Sequence, residues 1–121
     1  MKESFKNRAL ENLEAAELLF DNEKYNASAN RAYYAAFHIA IAALFSIGLK
    51  PTIDHRSVQA LFVDMFINKR KIISSDFKKY LYDLQNVRNT ADYKDGASKK
   101  IVSKQLKKSK QFVETITKVI L

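Results

Sequence analysis

The stretch "AYYAAFHIAIAALFSIGL", residues 32–49, decides the fold class. Its length is near the lower limit of a bilayer-spanning helix, roughly 17 residues. A helix that is apolar all round can also be the central helix of a soluble bundle, covered on most sides by its neighbours. Alanine dominates the run and His38 sits in its middle. Both features favour the buried central helix, and no membrane association is expected. The run ends in "GLKP", a glycine followed by a proline, which is a helix stop. Upstream, Asp21 and Asn22 are candidate caps for a helix over about 23–48.

Four more helical stretches flank this one, each read from the spacing of its apolar residues. The first covers about 3–20, with Phe5, Ala9, Leu13, Ala16 and Phe20 on one stripe. The third covers about 55–68, where Val58, Leu61, Phe62, Met65 and Phe66 fit the amphipathic template. The fourth covers about 75–92, capped by Ser74, Ser75 or Asp76, with a stripe of Phe77, Tyr80, Leu81, Leu84, Val87 and Ala91. The turn "KDGAS" separates it from the fifth, about 98–120, whose seam is Val102, Leu106, Ser109, Val113, Ile116 and Ile120. Long amphipathic helices with short joints pack antiparallel, so the expected architecture is all-α. Four long helices form an up-and-down bundle, with the shorter third helix beside them.

Composition agrees. The chain has 121 residues, one domain's worth (1–121), and such a length buries roughly two-thirds of its unfolded surface. Two glycines and one proline are too few for tight hairpins. Cysteine is absent, which removes disulfides, thiolate chemistry and cysteine-type zinc sites and fits a reducing, cytoplasmic setting. The N-terminal "MKESFKNRALENLEAAELLF" is amphipathic throughout and carries no apolar signal region. The formal charge is +8, and seven lysines against one glutamate after Gly96 hold most of it. That asymmetry suits an anionic partner, although a solvated lysine face is the plainer account.

Polar residues on core-facing stripes need explanation, because a buried polar group must be paired. Arg88 rides the edge of the fourth helix's stripe, with Asp92 one turn on. The two form either a local ion pair or a small polar site whose guanidinium is aimed at phosphate. Arg31 and His38 share one face of the second helix with position 34 or 35. His38 reads as a satisfied core histidine or as an acid–base group. His55 and Arg56 open the third helix, where a histidine commonly makes a cap or a loop contact. Tyr33 and Tyr34 are adjacent and cannot share a face, so at least one is wedged between helices with its hydroxyl at a polar edge. Two histidines with no carboxylate at ligand spacing argue against a metal site, and no cofactor is expected. There is no glycine-rich phosphate loop and no Ser-His-Asp set.

Three segments in order, "ASANRAYYAAFHIAIAALFSIGLKP", "DHRSVQALF" and "VRNTADY", resemble the HEPN fold in its branch of short stand-alone prokaryotic proteins. The resemblance implies a bundle of four or five helices, commonly a homodimer. It also implies a minimal nucleotidyltransferase partner in a toxin–antitoxin pair. Many members are metal-independent ribonucleases with an arginine followed, four to six residues later, by a histidine at a composite dimer site. Arg88 matches that arginine, but no histidine follows it; "RNTADY" supplies Asp92 and Tyr93 instead. His38 or His55 can replace the missing group only if the fold brings one to Arg88. Tyr93 is the candidate for the tyrosine that the partner modifies with AMP.

The expected function is nucleotide or RNA binding beside a nucleotidyltransferase, with Arg88 on phosphate and Arg31, His38, Asp92 and Tyr93 shaping the site. The alternatives are an endoribonuclease toxin using Arg88, with Asp92 as the tentative second catalytic group, and a purely structural dimerisation bundle.

Overall fold

A computed structural model describes the backbone of residues 1–93 and 98–120, with the side chains of all of these except 90–93. Five α-helices follow in order: α1 (Lys2–Asp21), α2 (Tyr25–Ser46), α3 (His55–Phe62), α4 (Tyr80–Tyr93) and α5 (Lys99–Val119). No strand occurs among the described residues. The expected turn at 94–97 lies outside them.

The central helix is where the sequence puts it. From Ser28 to Leu44, α2 is buried except on one narrow strip carrying Asn30, Arg31, Tyr34 and His38. It packs against α1 along its length and also against α3, α4 and α5. Eight alanines between positions 27 and 43 let these neighbours approach closely. Its apolar surface is therefore used inside the chain, and no described helix is long and apolar enough to cross a membrane.

Two buried hydroxyls fix the helices that flank it. Ser28 Oγ donates to the Ala16 carbonyl at 2.7 Å, joining α2 to α1. Ser109 Oγ donates to the Ala32 carbonyl at 2.7 Å, joining α5 to α2. The α5 seam is as expected, with Leu106 half-buried and Gln105 and Phe112 added to the buried set.

The helix ends show how short joints are made. α2 closes on Gly48 in the left-handed region (φ +83°), with Gly48 N–H donating to the Phe45 carbonyl and Leu49 N–H to the Leu44 carbonyl. This pair of bonds is a Schellman motif, and glycine is its natural residue. The same bonds close α1: Glu23 N–H reaches the Phe20 carbonyl and Lys24 N–H the Leu19 carbonyl, with Glu23 at φ +61°. Asp21 and Asn22 therefore finish α1 and do not cap α2, which begins after Lys24 with no side-chain cap. Asn22 Nδ2 donates back to the Leu18 carbonyl at 2.8 Å.

The third helix is wound differently from the regular helix expected over 55–68. After Phe62 it continues as a π-helix, Val63–Lys69. Wider winding shifts the apolar stripe by one residue, so Val58, Phe62, Phe66 and Ile67 are buried while Leu61 and Met65 are only half-buried. The fourth helix begins later than expected, because Ser74 caps a separate 3-10 turn, Ser75–Phe77, by accepting from Asp76 N–H at 3.2 Å.

Candidate functional site

Asp54 sets the position of His55. Its extended backbone and its carboxylate, which accepts from Ser57 N–H at 2.8 Å, start α3 immediately before the histidine. Hydrogen bonds from the Ser57 amide and side chain hold the Asp54 carboxyl below the usual carboxylate range. His55 is thereby presented to α2, where its ring lies 4.9 Å from Phe37 and 5.2 Å from Tyr33, centre to centre. The Tyr33 side chain is fully buried, and its hydroxyl and His55 Nδ1 share a hydrogen bond. A tyrosine hydroxyl can donate to a bare Nδ1 or accept from Nδ1–H. In either arrangement Nε2 is the ring nitrogen outside this bond.

Arg88 reaches the same rings from α4. It lies four residues after Leu84 and seven after Leu81, both buried, so it continues their stripe. Its guanidinium carbon lies 5.6 Å from the centre of the Tyr33 ring and 5.3 Å from that of Tyr34. Cation–π contacts of this kind contribute about 0.5–2 kcal/mol each, more as water is excluded. The Arg88 charge also acts on its neighbours. Burial first, and then the positive Arg88, lower the His55 pKa, with Asp54 opposing. Burial raises the Tyr33 pKa, while hydrogen bonding by Gln59 and the Arg88 charge pull it down. Near neutral pH the pair is a neutral imidazole beside a protonated phenol, next to a fixed cation.

Gln59, one turn after His55, donates from Nε2 to Gln85 Oε1 at 2.8 Å and so ties α3 to α4. His55, Arg56, Gln59 and Gln85 line one part of a groove of about 610 Å³ between α3 with its π-wound continuation and the start of α4.

Arg31 and His38 meet elsewhere. Arg31 Nη1 donates to Asn12 Oδ1 at 3.1 Å, and Asn12 Nδ2 lies 3.2 Å from His38 Nδ1. The expected pairing of Arg88 with Asp92 falls outside the described side chains, as do all contacts of Asp92 and Tyr93; Arg31 is held by α1. His38 is a satisfied histidine whose partner is the Asn12 amide, neither a carbonyl nor a tyrosine hydroxyl. Burial and the nearby Arg8 charge lower its pKa. Tyr34 stands between the two groups, 5.9 Å from the His38 ring and 5.3 Å from the Arg88 guanidinium carbon. Among the described residues no group of three or more histidines and carboxylates could hold a metal ion.

The structure thus joins Arg88 with His55, and Arg31 with His38, on the two sides of Tyr34. Tyr33, Gln59 and Asn12 were not singled out as site residues. Tyr33 had a signal, since it stands one turn before the buried Phe37 and carries a hydroxyl that needs a partner. Asn12 had none, because its role depends on how α1 is set against α2.

Comparison with known proteins agrees with the all-helical fold. The HEPN domain family model matches residues 3–120. A Methanocaldococcus jannaschii protein named "Putative toxin MJ0605" is 34% identical over 113 residues, 93% of this chain and 83% of its own length. A "UPF0332 protein" of Thermotoga maritima is 31% identical over 120 residues, 98% of this chain and 89% of its own. A second M. jannaschii protein, "Putative toxin MJ0142", is 33% identical over 86 residues, 71% of this chain and 57% of its own. This all-helical bundle, matched by the family model along nearly its whole length, belongs to the HEPN domain family.

Proposed function

We propose that this chain is a toxin-type HEPN protein that binds RNA through Arg88 and cleaves it with His55 as the base. The observation that carries the reading is the shared seat of Arg88 and His55 on the rings of Tyr33 and Tyr34. A guanidinium suits a phosphate and the charge that develops on it. A neutral imidazole with Nδ1–H donating to the Tyr33 hydroxyl carries its lone pair on Nε2. That nitrogen takes the proton of the ribose 2′-hydroxyl, the 2′ oxygen bonds to phosphorus, and the bond to the 5′ oxygen breaks. The departing oxygen regains a proton from the imidazolium or from water. The names of two relatives support the toxin assignment.

The half-exposed strip of Arg31, Tyr34 and His38 beside Arg88 is the face on which a second copy would complete a composite site. The partner that restrains the activity would be a minimal nucleotidyltransferase, with Tyr93 as its target. The exposed lysines of α5 add diffuse attraction for RNA, which weakens with salt. A binding module without catalysis is the second reading, favoured by the departure of "RNTADY" from the family's arginine–histidine spacing.

The test is RNA affinity by titration against labelled single strands, together with light scattering of the free protein. Arg88→Ala should weaken binding to every sequence and leave the fold intact. Unchanged affinity in that variant, or a monomer at micromolar concentration, would count against the site as described.

A further inference from the structure

We propose that the groove beside His55 is a subsite for one unpaired base of a single-stranded RNA, adjacent to the phosphate held at Arg88. The proposal rests on the RNA reading above and adds what the neighbouring nucleotide would meet. The groove, about 610 Å³, is within the usual range for a ligand site, and His55 is both its lining and a member of the Arg88 centre. A strand with its phosphate at that centre therefore has the groove as the next surface along.

Four features of the groove fit a base. Its floor is apolar, formed by Phe62 and Leu81, both almost fully buried. Tyr82 lines it from α4 and is 60% exposed, a large ring kept in water with no core to fill. Exposed aromatic rings beside cationic grooves are stacking platforms for unpaired bases. The Gln59–Gln85 amide pair uses one donor and one acceptor on itself. The Gln85 N–H groups and the Gln59 carbonyl oxygen lie outside that bond and offer a donor and an acceptor, the complement of a base edge. Arg56 and Lys78, both exposed, stand at the groove and supply positive charge for the strand's phosphates. The one acidic residue in the lining, Asp64, is paired with Lys69 at 3.2 Å, so it opposes a phosphate weakly. The wall that carries Asp64 and Asn68 is the π-helix, a winding that occurs frequently at functional sites.

The experiment is fluorescence anisotropy with short labelled homopolymer RNA strands of each base and with a matched duplex. The proteins are wild type, Tyr82→Ala, Tyr82→Phe, Gln85→Ala and Arg88→Ala. Loss of one stacked base predicts that Tyr82→Ala weakens single-strand binding roughly 5- to 150-fold, while Tyr82→Phe and duplex binding stay near wild type. Gln85→Ala should narrow the differences among the four homopolymers. If Tyr82→Ala and Gln85→Ala bind as wild type while Arg88→Ala has lost binding, the subsite is wrong and the phosphate centre stands. If Tyr82→Ala loses binding and Arg88→Ala does not, the groove stands and the centre is wrong. No binding by the wild type overturns both. Displacement of RNA by a nucleoside monophosphate at equal affinity would make the occupant a free nucleotide and overturn the RNA assignment.

Discussion

Tyr33 and His55, 22 residues apart in the chain, share a hydrogen bond between the phenol hydroxyl and Nδ1. The bond engages Nδ1 and leaves Nε2 outside it, the nitrogen that the proposed cleavage uses. Tyr33→Phe keeps the buried ring and removes only the hydroxyl. The fold should survive with a loss of about 1 kcal/mol, and RNA cleavage should fall roughly 10- to 100-fold through misplacement of the imidazole. Thermal melts and cleavage rates measured together check both parts. A wild-type rate in a folded Tyr33→Phe protein would remove Tyr33 from the site.

Both histidines are held neutral by burial and by nearby arginines. As the pH falls below about 6.5 the unfolded chain takes up protons that the folded chain resists. Stability therefore drops on acidification from that point and is unaffected by the histidines above it. Urea midpoints at about pH 7.5 and about pH 5.5 should show the loss. The double variant His38→Gln with His55→Gln should show less of it. Equal losses in the two proteins would contradict the stated cause.

The two Schellman motifs give a matched pair of substitutions. At Gly48 a Cβ meets nothing within 4 Å, so the cost of Gly48→Ala is backbone strain alone, about 1–2 kcal/mol. Glu23→Gly relieves the same strain at the other motif and should stabilise by up to about 1 kcal/mol, less what glycine adds to the freedom of the unfolded chain. Melting temperatures should move in opposite directions, and movement in the same direction would contradict the assignment of strain.

Ser109 ties α5 to the Ala32 carbonyl and is small enough to let the two helices touch. Ser109→Ala should cost about 1 kcal/mol and Ser109→Leu about 1–3 kcal/mol through overpacking, read from urea denaturation. A Ser109→Leu protein as stable as wild type would mean that the helices are not in close contact there.

Much of the fold was legible because burial writes a period into each helix. The stripe Phe5–Ala9–Leu13–Ala16 and the all-round apolarity of 32–49 each state which side faces inward. The glycine at 48 marks its turn because only glycine takes that φ without strain. The cap of α2 was misread because Asp21 and Asn22 have the composition of a start while Glu23, an unfavourable residue for the left-handed region, makes the stop. The π winding after Phe62 left no pattern, since its stripe differs from an α-helix by a single residue. The site was half legible. Arg88 stood out as a cation on an apolar stripe. Its neighbour His55 comes from a different helix, and no spacing along one helix reveals a contact between two.

The most direct measurement is cleavage of single-stranded RNA by the partner-free protein in chelator, comparing wild type with Arg88→Ala and His55→Asn. Wild type should cleave, with each variant slower by a factor of roughly 10² to 10⁴, the usual worth of an acid–base group, while still folded. Cleavage by His55→Asn at the wild-type rate, or no cleavage by wild type under conditions where it binds RNA, would contradict the proposed function.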